Sequence, residues 1–203
     1  MESDSYKTIQ SPSKGLYKEK GSRFLAFAFP AGSHEEIKTI IEGIRKEYHD
    51  ARHHCYAYMV GKDRLDWRVS DDGEPSGTAG LPILGQINSF EVTNILIVVC
   101  RYFGGTLLGV SGLINAYRSA AADAIKNATI IERSLHEFYE IRFPFTSLNA
   151  AMKVLKDEDA GQSSQSFDLE CSVIINFKAS SREKIISRLS RIDGLNYRYI
   201  ETK

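Results

Sequence analysis

Asn94-Ile95-Leu96-Ile97-Val98-Val99-Cys100-Arg101 decides how this chain is read, together with the Tyr102-Phe103-Gly104-Gly105-Thr106-Leu107-Leu108-Gly109-Val110-Ser111-Gly112 that follows. The first segment is apolar almost without interruption, the pattern of a buried strand. From Leu113 to Ala128 the period becomes helical. Leu113, Tyr117, Ala120, Ala124 and Ala128 share one face, while Asn115, Arg118, Ser119, Ala122 and Lys126 turn outward. Between strand and helix lies a glycine-rich loop, where glycine permits positive φ and close backbone approach. The helix start beyond it offers unpaired N–H groups and a dipole that favours an anion. Asp71-Asp72-Gly73-Glu74-Pro75-Ser76-Gly77-Thr78-Ala79-Gly80-Leu81-Pro82 forms a second loop of the same kind.

The same rhythm organises the rest of the chain. Arg23 to Phe29 reads as a strand ended by Pro30. Ser33 or His34 opens a helix carrying Ile37, Ile40, Ile41, Ile44 and Tyr48 at helical spacing. His54 to Val60 and Leu65 to Ser70 suit a hairpin about Gly61-Lys62-Asp63, and Ile83 to Ser89 a short helix. Residues 1–15, rich in serine, read as a mobile lead-in. Further on come a strand (Glu137 to Phe145), a helix that Ser147 is placed to cap, strands at 163–169 and 171–178, a helix from Ser181 to Gly194, and a last strand, Leu195 to Ile200. That β-α-β-β-α-β order is the split βαβ of ferredoxin-like domains. The expected fold is therefore α+β in two domains, 1–130 and 131–203, with the boundary near Ala128–Arg133.

Composition narrows the function classes. The 203 residues are 42% hydrophobic and 26% charged, which is ordinary for a globular protein. Lys/Arg and Asp/Glu balance at 26 each, eleven of each lying from position 129 onward, so neither part is a basic domain. Net charge gives no support to non-specific polyanion binding, and any nucleic-acid contact has to come from a local patch. Cys55, Cys100 and Cys171 lie apart in strand-like segments, which suits a reduced, cytoplasmic protein. The polar, acidic start lacks the features of a signal peptide, and no apolar run is long enough to span a bilayer.

His54-Cys55-Tyr56-Ala57-Tyr58, Asp71 through Gly80, and Arg101-Tyr102-Phe103-Gly104-Gly105 through Tyr117 resemble the IMPACT/YigZ family, and the second half looks like the extra C-terminal domain of its bacterial members. Ser111 stands where the family's Leu-Gly-x-Gly-Gly-Leu segment has glycine, which puts a role requiring positive φ there in doubt. The resemblance implies a first domain similar to a small-subunit ribosomal protein and to elongation factor G domain IV. The second would be similar to elongation factor G domain V. Eukaryotic members regulate translation by competing for the ribosome-associated activator of a starvation-sensing kinase. The resemblance carries over no biochemical role from bacterial members.

Each candidate site has a structural reading beside its functional one. Gly104, Gly105, Gly109 and Gly112, flanked by Arg101 and Arg118, suit a phosphate or RNA backbone, because guanidinium groups match phosphate oxygens. They equally suit a tight strand-to-helix crossover, and the spacing matches neither the dinucleotide fingerprint nor the P-loop. Asp71, Asp72 and Glu74, in the loop that also holds Gly77 and Thr78, can be read as Mg²⁺ ligands or as turn residues. His53 and His54 suit a partner contact or simple packing. With His49 and Cys55 they also invite zinc, but strand alternation splits that set. Tyr56, Tyr58, Tyr102 and Phe103 suit base stacking or the core.

The residues and the resemblance together point to a non-enzymatic, cytoplasmic regulator of translation. Its expected partners are RNA, the ribosome or a ribosome-associated protein, with no membrane partner, cofactor or metal. The alternative is a phosphate- or nucleotide-handling enzyme of the ribosomal-protein-like superfold, with Asp71, Asp72 or Glu74 as its acid/base group.

Overall fold

The computed structural model describes residues 4–202. They form a mixed α+β structure of two compact units, Tyr6–Arg133 and Ser134 onward, the latter taking in residues 4–5. The first unit contains β1 (Ser5–Ile9), β2 (Ser13–Glu19), β3 (Ser22–Pro30), α1 (His34–Glu47), β4 (His53–Val60), β5 (Asp66–Ser70), α2 (Gly80–Ser89), β6 (Ile95–Tyr102), α3 (Gly109–Lys126) and β7 (Ile130–Ser134). Five strands make one antiparallel sheet in the order β2-β3-β6-β4-β5, and β1 pairs with β7 separately.

The uninterrupted apolar run is β6, the central strand. Ile95, Ile97 and Val99 face the core shared with α2 and α3. Leu96, Val98 and Cys100 face the other core, under α1. Each Ile, Leu or Val so buried contributes about 1.5–3 kcal/mol, which makes this strand the apolar anchor of both layers. Ser33 caps α1 by accepting the Glu36 N–H at 3.2 Å. Glu35 and Glu36 begin that helix and Arg45 and Lys46 end it, the order its dipole favours. No described helix is long and apolar enough to cross a membrane.

The polar lead-in is ordered where it is described. Residues 5–9 and 13–19 are strands, and residues 1–3 lie outside the described residues. The alanine stripe of α3 explains β2, because alanines let a strand come close. A Cβ on Gly15 would lie 2.3 Å from the Ala124 nitrogen. Polar groups then fasten the contact: Ser13 Oγ donates to the Ala124 carbonyl (2.7 Å), Asn127 to the Lys14 carbonyl (2.9 Å), and the Leu16 N–H to Asp123 (2.9 Å). Ser13, inside the segment expected to be a mobile lead-in, is instead a partner of the α3 end.

The second unit runs β8 (His136–Pro144), α4 (Leu148–Asp157), β9 (Gly161–Phe167), β10 (Glu170–Lys178), α5 (Arg182–Leu189) and β11 (Asn196–Thr202), with sheet order β11-β8-β10-β9. All its pairings are antiparallel, giving the split βαβ arrangement expected. Ile141, Phe143, Val173 and Ile175 bury against Leu155, Ile185 and Leu189. Ser147 does not cap α4; its hydroxyl donates to the Asp193 carbonyl at 2.8 Å. Helix α5 ends at Leu189, short of Gly194.

Two expectations follow. Gly15→Ala forces a methyl group into the α3 backbone and is expected to destabilise by about 1–3 kcal/mol or more, read from urea denaturation. The Ala128–Arg133 segment is not an open linker, since Ile130–Ser134 is strand β7. Limited proteolysis should therefore cut first at exposed tips such as Leu107 or Leu169, 82% and 95% exposed, rather than within 130–134. Mass spectrometry of the earliest fragments checks this.

Candidate functional site

Both glycine-rich loops link a strand of the five-stranded sheet to a helix on the same face: β5 to α2 through residues 71–79, and β6 to α3 through residues 103–108. Asp71 organises the first. Its Oδ1 accepts the backbone N–H groups of Ala79 (3.0 Å) and Gly80 (2.8 Å), and its Oδ2 accepts that of Gly77 (2.8 Å). One carboxylate thus satisfies the unpaired donors at the start of α2 and brings a negative charge to the dipole's positive end. This is why α2 begins at Gly80 rather than Ile83. Thr78 closes the turn by donating to the Pro75 carbonyl at 2.7 Å.

Asp72 sits in the left-handed region (φ +43), which aspartate tolerates. Its carboxylate accepts from Arg45 at 2.6 Å and from the His54 N–H at 2.7 Å. Its carbonyl lies 2.8 Å from His53 Nδ1, so Nδ1 carries the proton of that contact. His54 is buried, with Nε2 donating to the Tyr48 carbonyl at 2.9 Å. The two histidines therefore serve the interior: His54 offers no surface for a partner, and His53 is largely covered.

Glu74 connects the loops. Its side chain, 3% exposed, accepts from Arg101 Nη1 at 2.6 Å and from the Tyr117 hydroxyl at 2.8 Å. Arg101 lies between the rings of Phe24 and Phe103, 5.5 and 5.6 Å from their centroids. Its Nε is buried and has no partner among the described residues. Cys55 completes the group, 2.9 Å from the Asp71 carbonyl and 3.3 Å from the Tyr117 oxygen. Burial pushes both the Cys55 thiol and the Tyr117 phenol upward, so both stay protonated at neutral pH. Burial likewise raises Cys100 to about 12.

Arg101 is therefore not the exposed cation that its position at a strand end suggests; Arg118, on the outer face of α3, is. Among the described residues no three His, Cys, Asp or Glu side chains gather as metal ligands do. Tyr58 is buried, Tyr56 and Tyr102 are half-buried, and Phe103 is exposed. Gly104 packs against Gly21, where a Cβ would lie 2.0 Å from the Gly21 carbonyl carbon. Gly105 and Gly109 face open space and have φ of +86 and +73. Gly112 and Ser111 lie in α3, so serine at 111 meets no positive-φ requirement.

Residues 20–125 match the family model described as the Impact N-terminal domain. The chain belongs to the IMPACT family. An IMPACT family member of Escherichia coli (strain K12), YigZ, is 37% identical over 138 residues, which covers 67% of this chain and 68% of YigZ. YvyE of Bacillus subtilis (strain 168) is 31% identical over 153 residues, 75% of this chain and 70% of YvyE. Protein IMPACT of Homo sapiens is 30% identical over 96 residues, 45% of this chain and 29% of the human protein. A crystal structure of a hypothetical protein superposes with a TM-score of 0.71 at 29% identity, covering 97% of this chain and 98% of that one.

The glycine-rich motifs of this IMPACT family chain were legible; the partners that hold them were not. Tyr117 carried a signal, as the single polar-tipped aromatic in an alanine stripe. The Arg45–Asp72 contact carried none, because 27 residues separate its ends.

Glu74→Gln leaves Arg101 as a buried charge without a counter-charge, and is expected to cost about 3 kcal/mol or more in urea unfolding. Arg101→Ala should likewise destabilise rather than act as a clean surface change. Cys55 in the folded protein should resist iodoacetamide up to about pH 9, since its thiolate is suppressed by burial; mass spectrometry of alkylated peptides reads this directly.

Proposed function

We propose that this IMPACT family protein is a non-enzymatic, cytoplasmic regulator associated with translation. It binds RNA, the ribosome or a ribosome-bound protein through residues 103–112 and Arg118. The observation that carries this reading is a division of labour between the loops. The acidic loop spends all three carboxylates on internal donors, which suits a rigid support better than acid/base chemistry. The second loop presents Phe103, Leu107 and Val110 to solvent, and α3 starts behind it with no side-chain cap. An exposed aromatic ahead of a helix start with no side-chain cap, and an exposed arginine further along the same helix, suit stacking and backbone contact with a nucleic acid. The resemblance adds the regulation of translation known for eukaryotic members.

Binding of RNA and of ribosomes, titrated at several salt concentrations, tests the reading. Arg118→Ala and Phe103→Ala should weaken binding with the fold intact by circular dichroism. Losing one phosphate contact at Arg118 should flatten the salt slope by about 0.9 on duplex or 0.7 on single strands. Gly105→Val should weaken binding through the loop, because valine is barred from φ near +86. Wild-type binding by the folded double variant would remove this surface. Purified protein should hydrolyse neither ATP nor GTP; turnover that disappears with Asp72→Asn would favour a nucleotide-handling enzyme instead.

A further inference from the structure

On the opposite side of the sheet from α2 and α3, helix α1 covers the central strands and leaves the β4–β5 edge open. The core beneath it holds Phe27, Tyr58, Leu96, Val98 and Cys100 and no β5 residue, β5 reaching α1 through the Asp66–His34 pair at its start. The result is a groove of about 350 Å³, lined by one face of α1 and by Tyr56, Tyr58 and Arg68. Arg68 stands directly opposite Tyr58 in the β4–β5 register, which puts its side chain on the α1 side. From α1 come His34, Lys38, Glu42 and Arg45, each three or four positions from the next and so on one helical face, with Ile37 and Ile41 beside them as an apolar floor.

The charges in this groove are unevenly committed. His34 is held by Asp66 at 2.6 Å, and Arg45 by Asp72 at 2.6 Å. Lys38, Glu42 and Arg68 have no hydrogen-bond or ion-pair partner among the described residues. Two free cations, one free carboxylate and a half-buried tyrosine therefore face the same space. A simple anion would satisfy the cations and be repelled by Glu42. An apolar molecule would use Ile37, Ile41 and the two tyrosines but leave three charges idle.

We propose that this groove binds a free nucleoside monophosphate. Such a molecule carries the three complements together: a phosphate for Lys38 and Arg68, hydroxyl or amino donors for Glu42, and a flat ring to lie against Tyr56. The volume falls at the lower end of small-ligand sites, roughly 300–1,000 Å³, which suits a single nucleotide. Because the two cations are exposed, binding weakens with salt.

The full-length protein is titrated calorimetrically with AMP, GMP, CMP and UMP, and separately with adenosine and with inorganic phosphate. At least one nucleotide should bind saturably, one molecule per chain, and more tightly than adenosine or phosphate alone. Lys38→Ala/Arg68→Ala, both at exposed positions, should weaken that nucleotide by about tenfold or more. Tyr56→Ala should weaken the nucleotide and leave the affinity for inorganic phosphate unchanged. No saturable binding, wild-type affinity in the folded double variant, or equal affinity for phosphate and nucleotide would each overturn the proposal. The groove lies across the sheet from α3 and meets the first glycine-rich loop through the Arg45–Asp72 pair, not through residues 103–112. RNA or ribosome binding should therefore survive Lys38→Ala/Arg68→Ala, and nucleotide binding should survive Phe103→Ala, so either reading can fail alone.

Discussion

The buried ion pair between Glu74 and Arg101 is the contact on which the arrangement of the site depends. Removing two charges from water costs several kcal/mol per ion, and Coulomb attraction repays it only when the remaining hydrogen-bonding capacity is met. Glu74 meets this condition with a second donor, Tyr117, which burial keeps protonated. Arg101 meets it in part, through one Nη and two aromatic faces, and leaves Nε unpaired. The pair links the acidic loop, the end of β6 and the middle of α3. A shift of any one of the three would strand a buried charge, so the pair specifies their geometry more than it adds stability.

The neighbouring carboxylates extend the same logic outward. Asp71 holds three N–H groups at the start of α2, and Asp72 joins α1 to β4 through Arg45 and the His54 amide. Hydrogen bonds to a charged acceptor are worth about 1.5–3 kcal/mol each, so these contacts offset much of the entropy cost of ordering a loop with several glycines. A loop fixed this way presents a constant shape. The exposed apolar residues lie in the next loop, where Gly105 and Gly109 bend the chain and Phe103 and Leu107 point outward.

What could be read from sequence was local and periodic. The β6 run, the alanine face of α3 and each strand and helix of the second unit declare themselves from residues close together in the chain. What could not be read depends on contacts between distant positions. Strand β2 begins inside a segment whose composition reads as a mobile lead-in, and the α3 backbone 111 residues away gives Ser13 its acceptor. Sequence pattern starts α2 at Ile83, three residues late, because the N–H groups of its first turn are held by Asp71 and not by a neighbouring residue. Arg101 looked like a surface cation because strand ends usually reach water; a glutamate 27 residues upstream reverses that.

The groove under α1 belongs to the same class of features. Its tyrosines alternate along β4, and its charged residues follow α1 at helical spacing, so each half has an ordinary explanation alone. Only the register of β4 with β5 puts Arg68 across from Tyr58, and only the packing of α1 over the central strands leaves the edge uncovered. Asp72 is the point where the groove and the loops meet. Because Asp72 already holds Arg45, an anion entering the groove finds that cation engaged. Recognition then falls to Lys38 and Arg68, whose side chains make no other polar contact among the described residues, while Arg45 remains part of the scaffold that sets the acidic loop.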